Sequence, residues 1–168
     1  FISGFYERRI KRLVPALSVF ALITSIAICL FNPSPGLSLR TGLTSLFGLS
    51  NLYLLKQATD YFGASSELNI FSHTWSLGVE EQFYILLPLL ILCVGAGRRC
   101  ILAIAIGAAA SFSLSVWQVR LYPSAAFFLL PARAWELLLG SLLTALPPLT
   151  GSVRSRNLIA LWGFVGIS

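Results

Sequence analysis

Long uncharged apolar runs limit how this chain can fold more than any other feature of its sequence. The first run extends from Val14 to Phe31, eighteen residues without a charged side chain, and a transmembrane helix needs about 20 residues, within a range of about 17 to 25. Of the 168 residues, 57% are hydrophobic and 11% are charged, whereas a soluble domain carries about 25% charged residues. A water-soluble fold has too little interior for this much apolar material. The sequence therefore predicts an all-α, polytopic transmembrane helix bundle.

Five further apolar segments follow the first. The second, Thr41 to Leu55, reaches only about 22 Å at about 1.5 Å of rise per residue, so we favour a re-entrant segment there over a full span. The others are the sequence around His73 together with Phe83 to Ala96, then Ile101 to Val119, Ala125 to Leu146, and a sixth that begins at Leu158. We therefore predict about five spans plus the start of a sixth.

Two features inside the apolar runs have structural explanations. Pro88 frees the carbonyl four residues before it, so either the helix kinks there or a neighbouring group satisfies that carbonyl. The cysteines show no close-spaced pair, and we interpret Cys29, Cys93 and Cys100 as small apolar packing residues. With a single histidine, the sequence predicts no metal site.

Basic residues stand at the ends of the apolar segments and give a net charge of +6. This placement is typical of cytoplasmic loops, whereas a nucleic-acid binder carries its charge as a stripe on a folded domain, so we expect no nucleic-acid partner. Strict alternation through three full spans would put Arg98 and Arg99 across the membrane from the Arg8 to Arg12 cluster. A re-entrant second segment returns both clusters to the cytoplasmic side.

The sequence HTWSLGVEEQFY, residues 73 to 84, is the strongest candidate site. Ionisable groups at the edge of a membrane segment are costly and therefore tend to be functional. If a helix begins near Ser72, then His73, Ser76, Glu80 and either Phe83 or Tyr84 share one face. Histidine and carboxylate side chains on such a face can orient or move a proton.

The same residues also have a purely structural interpretation. Ser76 is a potential cap for a helix that starts at Leu77, with Glu80 and Glu81 favoured by the positive end of the helix dipole. Trp75 and Tyr84 would then serve as interfacial anchors. Both interpretations stay open at this point because they can coexist.

Other charged and polar residues allow two interpretations each. The cluster Arg8 to Arg12 is either a topology signal that meets lipid headgroups or a phosphate clamp. Arg133 and Glu136 form either an intrahelical ion pair or part of a site, because charges within an apolar stretch tend to face a wet cavity. Asn51, Tyr53 and Gln82 are candidates for hydrogen bonds between helices.

Four motifs occur in an order that resembles membrane acyltransferase family 3, the O-antigen and peptidoglycan O-acetylase type. They are FYERRIKRLVPAL at 5–17, Asn-Leu-Tyr at 51–53, HTWSLGVEEQFYILLPLL at 73–90 and RAWELLLG at 133–140. The resemblance covers the chain from Phe5 to about Leu146. It implies that residues 1–168 are an internal part of one acyltransferase-type transmembrane domain, with the first helices and a C-terminal remainder outside the sequence.

The resemblance implies an integral O-acyltransferase of the bacterial cytoplasmic (inner) membrane. It would move an acyl group, most often acetyl from acetyl-CoA, to a hydroxyl of a cell-envelope or exported carbohydrate such as lipopolysaccharide O-antigen or peptidoglycan. The expected partners are the lipid bilayer, the carbohydrate acceptor and acyl-CoA, with no permanently bound cofactor. Two alternatives are a transporter or flippase for a lipid-linked sugar and a non-catalytic membrane partner.

The resemblance also assigns candidate roles. Arg9 and Arg12 match an Arg-x-x-Arg motif, and the hypothesis is that they position the donor while Glu80 and Arg133 shape the transfer site around a common wet pocket. A histidine that serves as candidate base in this family belongs to a helix expected before Phe1, so His73 is a different histidine. The predicted catalytic residues are His73, Glu80, Glu81, Arg133 and Glu136, the donor-binding residues Arg9 and Arg12, and the substrate-binding residues Trp75, Ser76 and Tyr84.

Overall fold

The computed structural model describes residues 2–60, 69–95 and 97–145 of the chain. Every regular element in these residues is helical, which confirms the all-α prediction. The predicted sixth segment, from Leu158 onward, lies outside the described residues. The elements are α1 (Ile2–Phe31), α2 (Gly36–Ser45), α3 (Ser50–Thr59), a 3₁₀ turn (Ser72–Thr74), α4 (Trp75–Val94), α5 (Arg98–Leu121), α6 (Pro123–Phe128) and α7 (Leu130–Ala145).

The first helix extends well beyond the apolar run that predicted it. α1 begins at Ile2 and includes the whole basic cluster as well as Pro15. Charged residues do not end a helix, because Arg, Lys and Glu are good helix formers. Lys11 and Glu7 also form an i,i+4 ion pair of 2.6 Å on its surface.

Four helical stretches in the described residues are long and apolar enough to cross a membrane: Gly4–Phe31, Ser72–Val94, Arg98–Leu121 and Pro123–Thr144. The chain is therefore an integral membrane protein. The predicted second segment is not one helix but two, α2 and α3, of ten residues each. Each reaches only about 15 Å, so this segment contributes no full span.

The two short helices form a hairpin that lies along α4. Asn69 contacts both arms, because its side-chain amide donates to Thr41 Oγ1 at 2.6 Å and to Gln57 Oε1 at 3.0 Å. The tip of the hairpin, at Gly48, lies further along α4, against Glu81. Gly48 has φ +66°, in the left-handed region that glycine adopts readily. Both arms thus leave the tip toward the same end of the bundle, which is the geometry of a re-entrant segment.

The first and fourth helices run antiparallel. Tyr6 contacts Tyr84, whereas Phe20 contacts Phe71 and His73. The start of α1 and the end of α4 therefore point to the same end of the molecule. Since α5 begins at Arg98, directly after α4, its first two arginines lie at this end as well. The hairpin removes the conflict between strict alternation and the positive-inside tendency.

Helix α4 continues through Pro88 to Val94. The carbonyl that this proline leaves free belongs to Tyr84, and it accepts a hydrogen bond of 3.1 Å from the hydroxyl of Tyr6. Of the two alternatives given for Pro88, a kink or a neighbouring group that satisfies the free carbonyl, the structure shows the second.

The other half of the bundle is built by α5 and α7, which pack closely against each other. α5 buries a stripe of small or apolar side chains, Cys100, Ile104, Ala108 and Ser111, and small residues allow helix backbones to approach. α7 also packs on α4, where Val79, Phe83 and Leu130 form a buried cluster. Cys29 and Cys93 lie on exposed helix faces, so the packing interpretation holds only for Cys100.

Candidate active site

A cationic cavity lies between α1 and α4. Three arginines from successive turns of α1 line it, together with Glu80 and Tyr84 of α4. Its volume is about 570 Å³ and its full lining is Phe5, Arg8, Arg9, Arg12, Leu13, Glu80 and Tyr84. Three guanidinium groups face one carboxylate, so the cavity is suited to an anionic ligand.

Tyr84 connects the arginines to the carboxylate. The guanidinium group of Arg9 lies over the ring of Tyr84, an arrangement in which the cation interacts with the π-system. The hydroxyl of Tyr84 donates to Glu80 Oε2 at 3.2 Å. Glu80 and Tyr84 are four residues apart, so one face of α4 supplies both groups. This is only part of the predicted shared face, because His73 and Ser76 do not line the cavity. Arg9 also has a buried Nε without a hydrogen-bond partner among the described residues.

Glu81 points to a second, smaller space on the other side of Arg9. This cleft of about 240 Å³ shares Arg9, Leu13 and Tyr84 with the cationic cavity and is otherwise lined mainly by apolar side chains. Glu81 also packs against Gly48 at the hairpin tip, where a β-carbon would overlap its carboxylate. The two neighbouring glutamates therefore face different surroundings.

A network of amide groups holds the hairpin tip against α4. Asn51 and Gln82 donate to each other, at 3.4 and 2.9 Å, and Gln82 also donates to the carbonyl of Gly48 at 3.1 Å. Asn51 makes a further bond of 3.0 Å to the carbonyl of Phe128. The hydrogen-bond role predicted for Asn51 and Gln82 is present. Gly78 permits this approach, since a β-carbon there would lie 2.9 Å from Asn51 Oδ1.

A separate charged group forms where α4 and α7 begin. Arg133 pairs with Glu136 at 3.0 Å, as the ion-pair interpretation predicts. Its guanidinium carbon also lies 4.7 Å from the centre of the Trp75 ring and 5.5 Å from that of Phe127. The rings of Trp75 and Phe127 are 4.5 Å apart. The result is an aromatic pair with a guanidinium and a carboxylate beside it, which we call the aromatic–arginine group.

His73 and Ser76 lie away from both groups. The imidazole of His73 is exposed and packs edge-on against Phe20, with ring centres 5.5 Å apart. Because α4 begins at Trp75, Ser76 lies inside the first turn and its hydroxyl donates to the carbonyl of His73 at 3.3 Å. The alternative in which Ser76 caps a helix starting at Leu77 is therefore wrong.

The structure brings some predicted residues together and separates others. Arg9, Arg12, Glu80 and Tyr84 share the cationic cavity, and Glu81 lies next to it. Arg133 lies on a different side of α4, because residues 75 and 80 are about 140° apart around a helix of 3.6 residues per turn. The common pocket expected for the arginine pair, Glu80 and Arg133 is thus replaced by two sites on one helix.

Sequence reasoning missed several residues that shape these sites. Gly48 and Gly78 have no side chain, which allows the hairpin tip and α4 to approach each other closely. Asn69 bonds to both helices of the hairpin. A glycine that faces polar groups of another element leaves no pattern in a single sequence, and neither does a lone asparagine in a polar stretch. Among the described residues, no three His, Cys, Asp or Glu side chains gather as a metal site requires.

The fold and the cavity define an integral membrane helix bundle with an arginine-lined cavity between two of its helices. The chain belongs to acyltransferase family 3: the model for that family, an acyltransferase domain, matches residues 1–168. The resemblance noted from the four motifs is confirmed.

Several curated proteins are similar to the chain. O-acetyltransferase OatA of Staphylococcus aureus is 35% identical over 88 residues, covering 52% of this chain and 14% of that protein. Peptidoglycan O-acetyltransferase OatA of Listeria monocytogenes is 30% identical over 156 residues, covering 88% and 25%. An uncharacterised protein of Haemophilus influenzae is 34% identical over 165 residues, covering 91% and 66%. The chain thus spans only a small part of the OatA proteins, and no solved structure matches it.

Proposed function

We propose that this protein is an O-acyltransferase of the bacterial cytoplasmic membrane that moves an acyl group from acyl-CoA to a hydroxyl of a cell-envelope carbohydrate. Acetyl is the favoured acyl group and peptidoglycan the favoured acceptor, since two relatives bear the names O-acetyltransferase and peptidoglycan O-acetyltransferase. The observation that carries the proposal is the cavity lined by Arg8, Arg9, Arg12 and Glu80, in a chain of an acyltransferase family.

The cationic cavity suits the donor. Coenzyme A carries phosphates, and guanidinium groups bind phosphate oxygens through two parallel hydrogen bonds. Arg9 and Arg12 follow each other by three residues on α1, so both side chains reach the same ligand. The contact with Tyr84 holds the Arg9 side chain in place. The side chain therefore has less conformational freedom to lose when the donor binds.

Glu80 is the group in this cavity that can take part in proton transfer. A sugar hydroxyl is a weak nucleophile and needs a base when it attacks a thioester carbonyl. The negative charge that develops on the carbonyl oxygen needs positioned donors in a site that excludes water. Glu80 accepts from Tyr84 at 3.2 Å and shares the cavity with three arginines, so the cavity offers both a carboxylate base and positively charged donors.

The aromatic–arginine group suits the carbohydrate acceptor. Sugar rings present C–H groups that pack on aromatic faces, and their hydroxyls bond to charged planar groups. Phe127 is exposed, Trp75 is half-buried, and Arg133 and Glu136 keep 26% and 44% of their side-chain surface accessible. Trp75 precedes Glu80 by five residues, about 7.5 Å along the axis of α4, so donor and acceptor would approach from two sides of one helix.

The donor assignment is tested in the full-length protein by mass spectrometry of O-acetyl groups on peptidoglycan. Arg9→Ala and Arg12→Ala should each lower acetylation at least about tenfold, since a hydrogen bond to a charged group contributes about 1.5 to 3 kcal/mol. Lys11→Ala is the matched control, because Lys11 lies on the same helix, pairs only with Glu7 among the described residues and is exposed. Undiminished acetyl-CoA use by both arginine variants would reject the clamp.

The proposed activity itself is tested with the wild-type protein. Acetyl groups should appear on peptidoglycan in cells that carry the gene and be absent from cells that lack it. Carbohydrate that crosses the membrane without gaining an acyl group would reject the enzyme and favour a transporter. Glu80→Gln with wild-type acetylation would make that carboxylate a structural residue.

The acceptor assignment has its own test. Trp75→Ala should weaken acceptor use and leave the KM for acetyl-CoA unchanged, because Trp75 does not line the cationic cavity. Trp117→Ala is the matched control, since Trp117 is exposed on α5 and, among the described residues, its ring pairs edge-on with that of Tyr122. Equal effects of both substitutions would remove Trp75 from the acceptor site.

A further inference from the structure

We propose that Ser111 of α5 is a positioning residue that sets the direction of Arg133 by inserting its hydroxyl into the first turn of α7. The inference rests on the proposed function, because it assigns Ser111 to the acceptor side of that reaction. Nothing in the sequence singles out this serine, which stands among alanines and other serines.

The hydroxyl of Ser111 lies between two backbone groups of α7. It donates to the carbonyl of Pro131 at 2.7 Å and accepts from the N–H of Trp135 at 2.9 Å. In a regular helix these two groups, four residues apart, bond to each other. A side chain that inserts at this place can open the turn, and such an insertion is a recognised cause of local helix bending.

Buried side chains of both α5 and α7 hold the Ser111 hydroxyl in this position. Ser111 is only 7% exposed, and Ala108 one turn earlier on α5 and Ala132 on α7 are buried as well. These small side chains allow the two backbones to approach closely enough for a serine to reach across. Phe112, next to Ser111, packs edge-on against the ring of Trp135, 5.2 Å between centres, and secures the same junction.

Arg133 lies inside this turn, between the two residues that Ser111 bridges. The direction of its side chain therefore depends on whether that turn is open or closed. With the Ser111 bridge in place, the guanidinium carbon of Arg133 lies 4.7 Å from the centre of the Trp75 ring and its Nη2 atom lies 3.0 Å from Glu136. Ser111 touches none of the reacting groups and acts only through the backbone of α7.

This geometry separates a positioning role from a structural one. When the hydroxyl is removed, the carbonyl of Pro131 and the N–H of Trp135 can bond to each other, so no buried polar group is left without a partner. The protein should then keep its stability while Arg133 turns away from Trp75. A residue that only held the fold together would show the reverse pattern.

The kinetic test compares Ser111→Ala with Ser113→Ala in the full-length protein. Ser113 lies two residues further along α5, is exposed, and bonds only within its own helix, to the carbonyl of Ala109. Ser111→Ala should lower kcat/KM for the acceptor about tenfold, since misplacement of about 1 Å in a site can lower a rate by up to about a hundredfold. The KM for acetyl-CoA and the yield of folded protein should not change, and Ser113→Ala should match the wild type.

A double-mutant comparison with Arg133→Lys makes the test specific. If Ser111 acts through Arg133, adding Ser111→Ala to Arg133→Lys should produce little further loss. The inference is overturned if the two losses multiply, or if Ser111→Ala lowers activity only in proportion to the amount of folded protein. Wild-type kinetics in Ser111→Ala would also overturn it, even though the proposed function would stand.

A spectroscopic measurement decides the matter if the wild type transfers no acyl group. In a protein in which every tryptophan other than Trp75 is replaced by Phe (in this sequence Trp117, Trp135 and Trp162), emission reports on Trp75 alone. Ser111→Ala should shift that emission as the guanidinium of Arg133 leaves the ring, and Ser113→Ala should not. An unchanged spectrum in Ser111→Ala contradicts the positioning of Arg133 independently of any activity.

Discussion

The hydroxyl of Tyr6 donates a hydrogen bond of 3.1 Å to the main-chain carbonyl oxygen of Tyr84. That carbonyl lies four residues before Pro88, whose ring nitrogen carries no hydrogen to offer it. α1 thus supplies the hydrogen bond that α4 lacks. The contact also holds Tyr84 where its ring meets Arg9, so one bond both completes α4 and fixes a wall of the cationic cavity.

The contact between Tyr6 and Tyr84 predicts a specific loss of stability. Tyr6→Phe should lower the free energy of unfolding by about 1 to 3 kcal/mol, the usual range for a buried polar group left without its partner. In a Pro88→Ala background the carbonyl regains its own N–H partner, so Tyr6→Phe should then cost much less. Thermal unfolding of the four proteins in detergent measures this, and equal losses in both backgrounds would contradict the explanation.

Gly78 should tolerate no side chain. A β-carbon there would lie 2.9 Å from Asn51 Oδ1 and 3.2 Å from the carbonyl oxygen of Gly48, a backbone atom that cannot turn aside. Gly78→Ala should therefore lower stability by about 1 to 3 kcal/mol. Gly140→Ala is the control, because a β-carbon at that helical position meets nothing within 4 Å, and alanine there should stabilise by up to about 1 kcal/mol. A harmless Gly78→Ala would mean that the hairpin tip lies further from α4.

Gly48 should be equally intolerant, for a conformational reason. At φ +66° an alanine costs about 1 to 2 kcal/mol, and its methyl group would also meet the Glu81 carboxylate. Gly48→Ala should destabilise the protein, and adding Glu81→Ala should recover part of the loss by removing the overlap. Gly36→Ala at the start of α2 controls for the substitution, since a β-carbon there has open space. No recovery in the double variant would separate Gly48 from Glu81.

Arg9→Lys distinguishes a guanidinium site from a merely positive one. Lysine keeps the charge but can neither bind a phosphate through a planar fork nor stack on Tyr84 in the same way. We expect the KM for acetyl-CoA to rise about tenfold or more, with little change in acceptor use. Arg40→Lys, on an exposed position of α2, should leave both unchanged. Wild-type kinetics in Arg9→Lys would show that charge alone is sufficient.

Much of the architecture could be predicted from local sequence. Apolar runs and their lengths indicate the spanning helices, and the weak second segment together with the positions of the arginines indicates the re-entrant hairpin. The Arg9, Arg12 and Glu80 grouping follows from motifs on two helices. The helices and the hairpin depend on residues close together in the chain, where sequence patterns carry information, whereas the grouping of Glu80 with the two arginines is expected from the family resemblance.

The remaining features depend on contacts between distant residues. Ser111 acts on a turn twenty residues away, and Tyr6 completes a helix turn 78 residues away. Their side chains are common in membrane helices, so their types alone indicate nothing. Likewise, no pattern around Arg133 could reveal that it faces Trp75 and not the cavity of Arg9, because that depends on how α4 and α7 are rotated against each other.

The hairpin between α1 and α4 also determines whether the chain crosses the bilayer an even or an odd number of times. Because it turns back at Gly48, it adds no crossing to the four helical stretches of the described residues that are long and apolar enough to span a bilayer. An even number of crossings returns the chain to its side of origin. The start of α1 and the end of α7 therefore face the same compartment. Reporter domains joined near either terminus of the described region should therefore be exposed to the same aqueous phase.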